Sequence, residues 1–148
     1  MNFKYHQTLF LPADIEAFRE GAPQYLCPVP AGFPSPAEDY IEDTLDLHKY
    51  VVRNSASTFF LRASGDSMIG AGIHDGDILV VDRSLSPVSG KVVIASIDGE
   101  LTVKRLRKRG GRLFLLPENL QYEPMDITDH ENTVIWGVVT FALHSLQA

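Results

Sequence analysis

Hydrophobic and polar residues alternate with a period of two along much of the chain after residue 50, a pattern typical of β-strands buried on one face. Alternation around Phe59 and Leu61 predicts a strand over 57–63, and a β-branched run predicts another over 77–81. A last long strand is predicted over 134–143. The pattern therefore indicates a twisted, mostly β domain with few helices.

Two glycine-containing dipeptides divide the middle of the chain into a three-stranded meander. Strands predicted over 92–97 and 100–106 flank Asp98-Gly99, a pair that readily adopts the positive φ angles of a two-residue hairpin turn. Gly110-Gly111 then turns the chain into a further strand over 113–116.

The first 40 residues have a different character, because prolines interrupt any sustained pattern there. Six of the nine prolines precede Tyr40: Pro12, Pro23, Pro28, Pro30, Pro34 and Pro36. Residues 1–40 therefore predict a flexible N-terminal arm, with one short helix over 12–20. Residues 41–148 predict a single folded domain.

Bulk composition narrows the classes of function. A chain of 148 residues with 45% hydrophobic residues can bury one core of ordinary size. Its net charge of −6 argues against a protein that works mainly by neutralising phosphates. A single cysteine, Cys27, and the lack of a signal-like or membrane-length apolar segment predict a reduced, cytoplasmic protein.

Two side chains carry the best evidence for chemistry. Ser67 lies in the turn-like segment 64–68, and Lys104 lies on a predicted strand with Thr102 and Leu106 on the same face. A lysine that faces inward loses hydration, so its pKa falls and its amine can take the serine proton. The backbone N–H groups of Asp66 and Ser67 are then candidates for an oxyanion hole.

Each of these residues also has an ordinary interpretation. Ser67 could be a helix cap, because serine commonly caps short helices. Lys104 could be a solvated lysine at a sheet edge. It begins a basic cluster that we interpret as a hairpin tip or a partner-binding patch: Lys104, Arg105, Arg107, Lys108, Arg109 and Arg112. The five histidines show no metal-ligand spacing, so no metal or other cofactor is predicted.

Three segments taken together, 64–69, 72–82 and 98–106, closely resemble the self-cleaving peptidase domain of the LexA and UmuD family. The segment 31–42 is similar to the cleavage region of the UmuD branch, and the resemblance runs from about Phe10 to Val139. It implies a LexA-like, partly barrel-like β fold. Alanine at position 31 is typical of LexA-type repressors, whereas UmuD proteins typically have cysteine there.

The resemblance also implies an activity. Ser67 would be the nucleophile, Lys104 the general base, and Ala31-Gly32 the bond that the protein cuts in itself. A RecA filament on single-stranded DNA would stimulate the cut, and the processed homodimer would serve a UmuC-type subunit of an error-prone polymerase in the SOS response. No cofactor and no sequence-specific DNA binding are implied.

Three alternatives remain open. A LexA-like repressor needs a helix-turn-helix domain, for which the proline-rich arm is too short. A non-enzymatic polymerase-binding module would not need Ser67 and Lys104. An enzyme like signal peptidase shares the Ser/Lys chemistry but calls for a membrane anchor.

Overall fold

Antiparallel strand pairing organises most of the chain. The computed structural model describes residues 22–25, 29–34 and 41–147, and the helix predicted over 12–20 lies outside them. The chain divides into two compact units, Met1–Tyr50 and Val51–Ala148. The domain boundary that we predict after residue 40 stays a prediction.

The first unit contains a β-hairpin that the sequence pattern does not reveal. Strand β1 (Ala22–Tyr25) pairs antiparallel with β2 (Ile41–Leu45), with a register shift between Gln24 and Tyr25. Pro23 lies within β1, where it is tolerated because a two-stranded sheet consists of edge strands. The same proline is the reason why the sequence pattern does not predict this strand, since proline usually argues against a strand. Helix α1 (Leu47–Val51) follows β2.

The second unit is built on a seven-stranded antiparallel sheet, in the order β3-β4-β9-β5-β6-β7-β8. Its strands are β3 (Thr58–Arg62), β4 (Ile78–Asp82), β5 (Val92–Ile97), β6 (Glu100–Arg109), β7 (Arg112–Leu116), β8 (Met125–Asp126) and β9 (Thr133–Leu143). The mostly β fold predicted from the sequence is thereby confirmed.

Individual strands follow the sequence pattern closely. The strand predicted over 92–97 is found at Val92–Ile97, and β6 begins as expected at Glu100 but continues to Arg109. Asp98 and Gly99 between them have φ angles of 51° and 85°, which are the left-handed values that a type I′ hairpin turn requires. The predicted meander is confirmed by the pairing of β5, β6 and β7.

Two hydrophobic clusters form the core of this unit. The first surrounds the turn that carries Ser67 and includes six buried residues: Ala63, Met68, Ile73, Leu79, Val81 and Ile94. The second lies under β5, β6 and β7 and includes Val93, Ala95, Leu106, Leu115, Ile127 and Val138. Among the described residues, no helix is long and apolar enough to cross a membrane.

Candidate active site

The Ser67 turn follows β3 and ends in a single 3₁₀ turn, Ile69–Ala71. Gly65 and Gly72 flank it with φ angles of 88° and 80°, which glycine adopts without strain. Met68 is 2% exposed and anchors the turn in the first hydrophobic cluster. The partly buried Ser67 therefore stands beside a fixed core residue.

Lys104 meets this turn from the middle of β6. Its Nζ lies 3.0 Å from Ser67 Oγ, 2.9 Å from Thr102 Oγ1 and 3.0 Å from the carbonyl oxygen of Val103. The contact with Thr102 confirms that positions 102 and 104 share one face of the strand. Leu106, next on that face, is 3% exposed and belongs to the second cluster. The structure thus brings the two candidate chemical residues into hydrogen-bonding distance.

The surroundings of Lys104 favour its neutral amine. The residue is only partly exposed, and among the described residues no carboxylate forms an ion pair with it. Burial lowers the pKa of Lys104 below its ordinary value, because removal of water disfavours the ammonium form. The 3.0 Å contact with Ser67 and the lowered pKa of Lys104 are therefore both compatible with a neutral amine that accepts the serine proton.

A second loop holds the Ser67 turn in place. The N–H of Glu118 donates to the Ser67 carbonyl at 2.8 Å, and the N–H of Gly70 donates back to the Glu118 carbonyl at 2.8 Å. The side chain of Asn119 donates to the Asp66 carbonyl at 3.0 Å, and the Tyr122 hydroxyl donates to Asp66 Oδ1 at 2.6 Å. These four bonds fix both peptide groups that flank the nucleophile.

This second loop, residues 118–122, is itself attached to β6. Arg105 Nε donates to Glu118 Oε1 at 2.5 Å, and Arg105 Nη1 donates to the Gly90 carbonyl at 2.7 Å. Arg105 thus connects the strand that carries Lys104 to the loop that supports Ser67. The sequence pattern assigns Arg105 only to the basic cluster and gives no signal for Glu118, Asn119 or Tyr122, since these contacts join distant parts of the chain.

Two cavities meet at Lys104. A cavity of about 280 Å³ is lined by Ser67 and, among other residues, by Leu61, Ala63, Ser64 and Leu79. A wider one of about 640 Å³ is lined by Ile97, Leu115, Tyr122 and Met125, among others. Leu101, Thr102 and Lys104 line both cavities. The pair Ser67 and Lys104 therefore lies where an extended peptide could run from one cavity to the other.

The candidate cleavage site lies in the first unit. Ala31 and Gly32 belong to the described stretch 29–34, which has no regular secondary structure and is exposed. This stretch lies between β1 and β2 in the chain, and Phe33 beside the candidate bond is 94% exposed. An exposed, irregular backbone is the kind of segment that proteases cut.

The remainder of the basic cluster lies around the β6–β7 turn. Arg107, Lys108 and Arg109 are exposed, and Arg112 forms an ion pair with Asp126. Its description as a solvated hairpin tip fits these positions, whereas Lys104 and Arg105 belong to the site.

Comparison with known proteins identifies the family. A family model described as peptidase S24-like matches residues 23–140. The chain is 45% identical over 140 residues to protein SamA of Salmonella typhimurium, covering 95% of this chain and 97% of SamA. It is 51% identical over 122 residues to protein MucA of Escherichia coli, covering 82% and 83%.

A LexA repressor from Arthrobacter sp. is 43% identical over 118 residues, which cover 80% of this chain and 46% of that repressor. The similarity thus extends across both kinds of protein that the sequence resembles. The chain belongs to the peptidase S24-like family, as a member of the LexA and UmuD type.

Proposed function

We propose that this protein is a self-cleaving serine peptidase in which Ser67 is the nucleophile, Lys104 is the general base, and Ala31-Gly32 is the bond cut. The observation that carries the proposal is the 3.0 Å contact between Lys104 Nζ and Ser67 Oγ, made by a lysine whose pKa is lowered by burial. A nucleophile and a base at this distance are the minimum that covalent peptide cleavage needs.

A count of protons supports the direction of transfer. A neutral amine has two N–H donors and one lone pair. The Val103 carbonyl can only accept, and in this mechanism the Thr102 hydroxyl accepts the second N–H. The lone pair of Lys104 then faces Ser67, whose O–H donates to it and passes its proton to Nζ during attack on the Ala31 carbonyl carbon. The resulting ammonium can return the proton to the departing amine of Gly32.

The oxyanion of the tetrahedral intermediate would be stabilised by the backbone N–H groups of Asp66 and Ser67. Asn119 holds the peptide that carries the Ser67 N–H, and the Tyr122 hydroxyl holds the Asp66 side chain. Within the described part of the chain, the two N–H groups donate to no protein acceptor. Fixed and uncommitted donors stabilise a developing negative charge because they need no reorganisation at the moment of reaction.

The substrate would lie across the dyad with one side of its scissile bond in each cavity. The small Ala31 side chain suits the narrower cavity around Ser67, whereas the larger, mostly apolar cavity can take the residues that follow Gly32, which include Phe33. Because the substrate is part of the same chain or of a dimer mate, proximity replaces tight binding of a separate peptide. The rate then depends on how often the bond reaches the dyad.

The similarity to SamA and MucA supports a wider role. In this proposal the protein acts in the cytoplasm, a RecA filament on single-stranded DNA stimulates its cleavage, and the shortened homodimer serves a UmuC-type polymerase in SOS mutagenesis. A LexA-like repressor is the second candidate, because a LexA repressor is among the relatives. The net charge of −6 favours a protein partner over DNA.

The test measures the mass of purified protein after incubation at alkaline pH, and separately with RecA, ATP and single-stranded DNA. A product that begins at Gly32 is expected from the unaltered chain, and none from Ser67→Ala or Lys104→Ala. Lys108→Ala is the matched control, since Lys108 lies exposed on the same strand. Normal processing in either dyad variant contradicts the mechanism, and specific retention of operator DNA in a gel shift favours the repressor.

A further inference from the structure

Two histidines and one aspartate converge where the end of β9 meets the segment before β4. His74 and Asp77 lie just before β4, and His144 directly follows β9. Antiparallel pairing aligns Ile78 with Leu143, so it brings together residues that are 67 to 70 positions apart. The spacing of histidines along the sequence predicts no such cluster.

Asp77 is the buried centre of the cluster. It is 2% exposed, and its Oδ1 lies 2.6 Å from Nδ1 of His144 while its Oδ2 accepts the backbone N–H of His74 at 2.8 Å. Burial raises the pKa of Asp77, but the His74 N–H and the His144 imidazole lower it, and the net pKa lies below the ordinary value. The carboxylate is therefore charged at neutral pH.

His74 supplies an unusual group. Its Nδ1 is buried and makes no hydrogen bond within the described part of the chain, although it lies 3.7 Å from Asp77 Oδ2. A buried nitrogen without a partner lowers stability, unless something else binds it. The ring stacks on that of His144 with centroids 4.2 Å apart, so both imidazoles border the same carboxylate.

We propose that His74, Asp77 and His144 form a binding site for a first-row divalent transition-metal ion such as Zn²⁺. One ligand atom from each residue lies within 4.8 Å of the others. Tetrahedral coordination at ordinary Zn–N and Zn–O bond lengths places ligand atoms roughly 3.4 Å apart. His74 Nδ1 lies 3.7 Å from Asp77 Oδ2, close to this value, whereas His144 Nδ1 at 2.6 Å from Asp77 Oδ1 must move apart to admit an ion.

The donor set also selects the class of ion. Imidazole nitrogens suit zinc, copper and nickel, whereas magnesium and calcium prefer oxygen ligands. The proton shared between His144 Nδ1 and Asp77 would move to Nε2 of the same ring, which leaves Nδ1 free to bind the metal. Both histidine side chains are about 40% exposed, so the ion has an entry path and a water molecule can complete its coordination.

A metal ion here would connect the end of β9 to segment 74–77, which is hydrogen-bonded to residues just before Ser67. The N–H of Ala63 donates to the Asp77 carbonyl at 2.8 Å. Asp75, between the two proposed ligands His74 and Asp77, accepts the N–H of Gly65 at 2.8 Å. The ion would thus join two segments directly, and their hydrogen bonds to Ala63 and Gly65 extend the connection to a third.

The experiment titrates tag-free, chelator-treated protein with Zn²⁺ by calorimetry, and with Co²⁺ by visible absorption. We expect one ion per chain with a Kd in the micromolar range or below, and a melting temperature that rises with Zn²⁺ concentration. His74→Gln and His144→Gln should each weaken binding at least tenfold and reduce the Co²⁺ bands. His48→Gln, which alters an exposed histidine of α1, should bind as the unaltered protein does.

The measurements distinguish loss of a metal ligand from loss of the fold. Circular dichroism of each variant checks that the sheet is intact before binding is compared. Absence of saturable binding up to millimolar Zn²⁺ overturns the proposal, and so does binding that neither His74→Gln nor His144→Gln weakens. These measurements do not depend on self-cleavage, so they stand whatever the activity at Ser67.

Discussion

Lys104 Nζ lies 2.9 Å from the hydroxyl of Thr102, two residues earlier on the same face of β6. Thr102→Val keeps the shape of this side chain but removes the acceptor for one N–H of the amine. We expect self-cleavage to slow about fivefold, since a lost hydrogen bond of about 1 kcal/mol has this effect on a rate. Thr140→Val, on β9, is the control. An unchanged rate in Thr102→Val would show that the hydroxyl does not orient the base.

The pH dependence of cleavage reports on the base itself. Burial lowers the pKa of Lys104, so the neutral amine becomes abundant at a lower pH than for a solvated lysine. The rate of spontaneous cleavage should therefore rise as pH increases from neutral to alkaline, and level off once Lys104 is deprotonated. Timed gel analysis across this range measures it. A flat profile counts against Lys104 as the base.

Tyr122 tests the loop that holds the nucleophile. Tyr122→Phe removes the hydroxyl that donates to Asp66 Oδ1 at 2.6 Å. We expect several-fold slower cleavage with nearly unchanged thermal stability, because Tyr122 is 43% exposed. Asp66→Asn keeps an acceptor oxygen and should retain more activity.

The same pair makes a spectroscopic prediction. The hydrogen bond to Asp66 and the charge of its carboxylate raise the pKa of Tyr122. The phenol should therefore ionise above its ordinary range, and Asp66→Asn should bring its pKa down. The difference in ultraviolet titration between the unaltered chain and Tyr122→Phe isolates this group. Identical curves for the chain and its Asp66→Asn variant would contradict the contact in solution.

Gly70 allows a steric test of the same support. A Cβ atom at this position would lie 2.7 Å from the carbonyl oxygen of Glu118, which is closer than packed atoms approach. Gly70→Ala should cost about 1 to 3 kcal/mol of unfolding free energy. It should also slow cleavage, because the displaced Glu118 donates to the Ser67 carbonyl. Urea denaturation and cleavage assays on one preparation measure both effects.

Asp82 provides a prediction about stability and pH. A hydrogen bond from the Ser84 side chain, with further bonds from the Ser84 N–H, Asn54 and Ser57, outweighs burial and lowers the pKa of Asp82 to about 2. A lowered carboxyl pKa stabilises the folded state above the unfolded-state pKa, and this contribution disappears as pH falls through the folded-state value. Asp82→Asn should thus destabilise the protein at neutral pH.

The size and pH dependence of this effect are measurable. Loss of the charged acceptor should lower the free energy of unfolding by about 1 to 3 kcal/mol. The difference between the two proteins should shrink between about pH 4 and pH 2. Urea denaturation at several pH values measures it, and a difference that stays constant down to pH 2 would contradict the assignment.

The sequence predicts a structural feature well when that feature depends on residues that are close together in the chain. Local alternation is enough to predict β5, β6 and the turn at Asp98-Gly99, and it places Lys104 and Thr102 on one face. The pairing of β1 with β2 is not visible, because Pro23 interrupts the pattern. A two-residue strand such as β8 is too short to produce a pattern of its own.

The contacts that support the site cannot be predicted from local patterns, for a different reason. Tyr122 reaches Asp66 across 56 positions, and His144 reaches Asp77 across 67. Both contacts depend on which strands become neighbours and in which register, and single-sequence periodicity does not contain that information. The turn and the strand pattern single out Ser67 and Lys104 as candidates, and the family resemblance assigns them to one dyad, but no local pattern predicts the distance between them.

The hairpin of the first unit gives the proposed cut a structural outcome. Ala31-Gly32 lies between β1 and β2, so scission would leave these two strands on separate polypeptides. Their pairing would change from a tethered association to one that dilution can reverse. Once the short fragment diffuses away, the backbone donors and acceptors of Ile41–Leu45 would need a new companion strand or water. Proteolysis would then not only shorten the molecule but also uncover a docking edge.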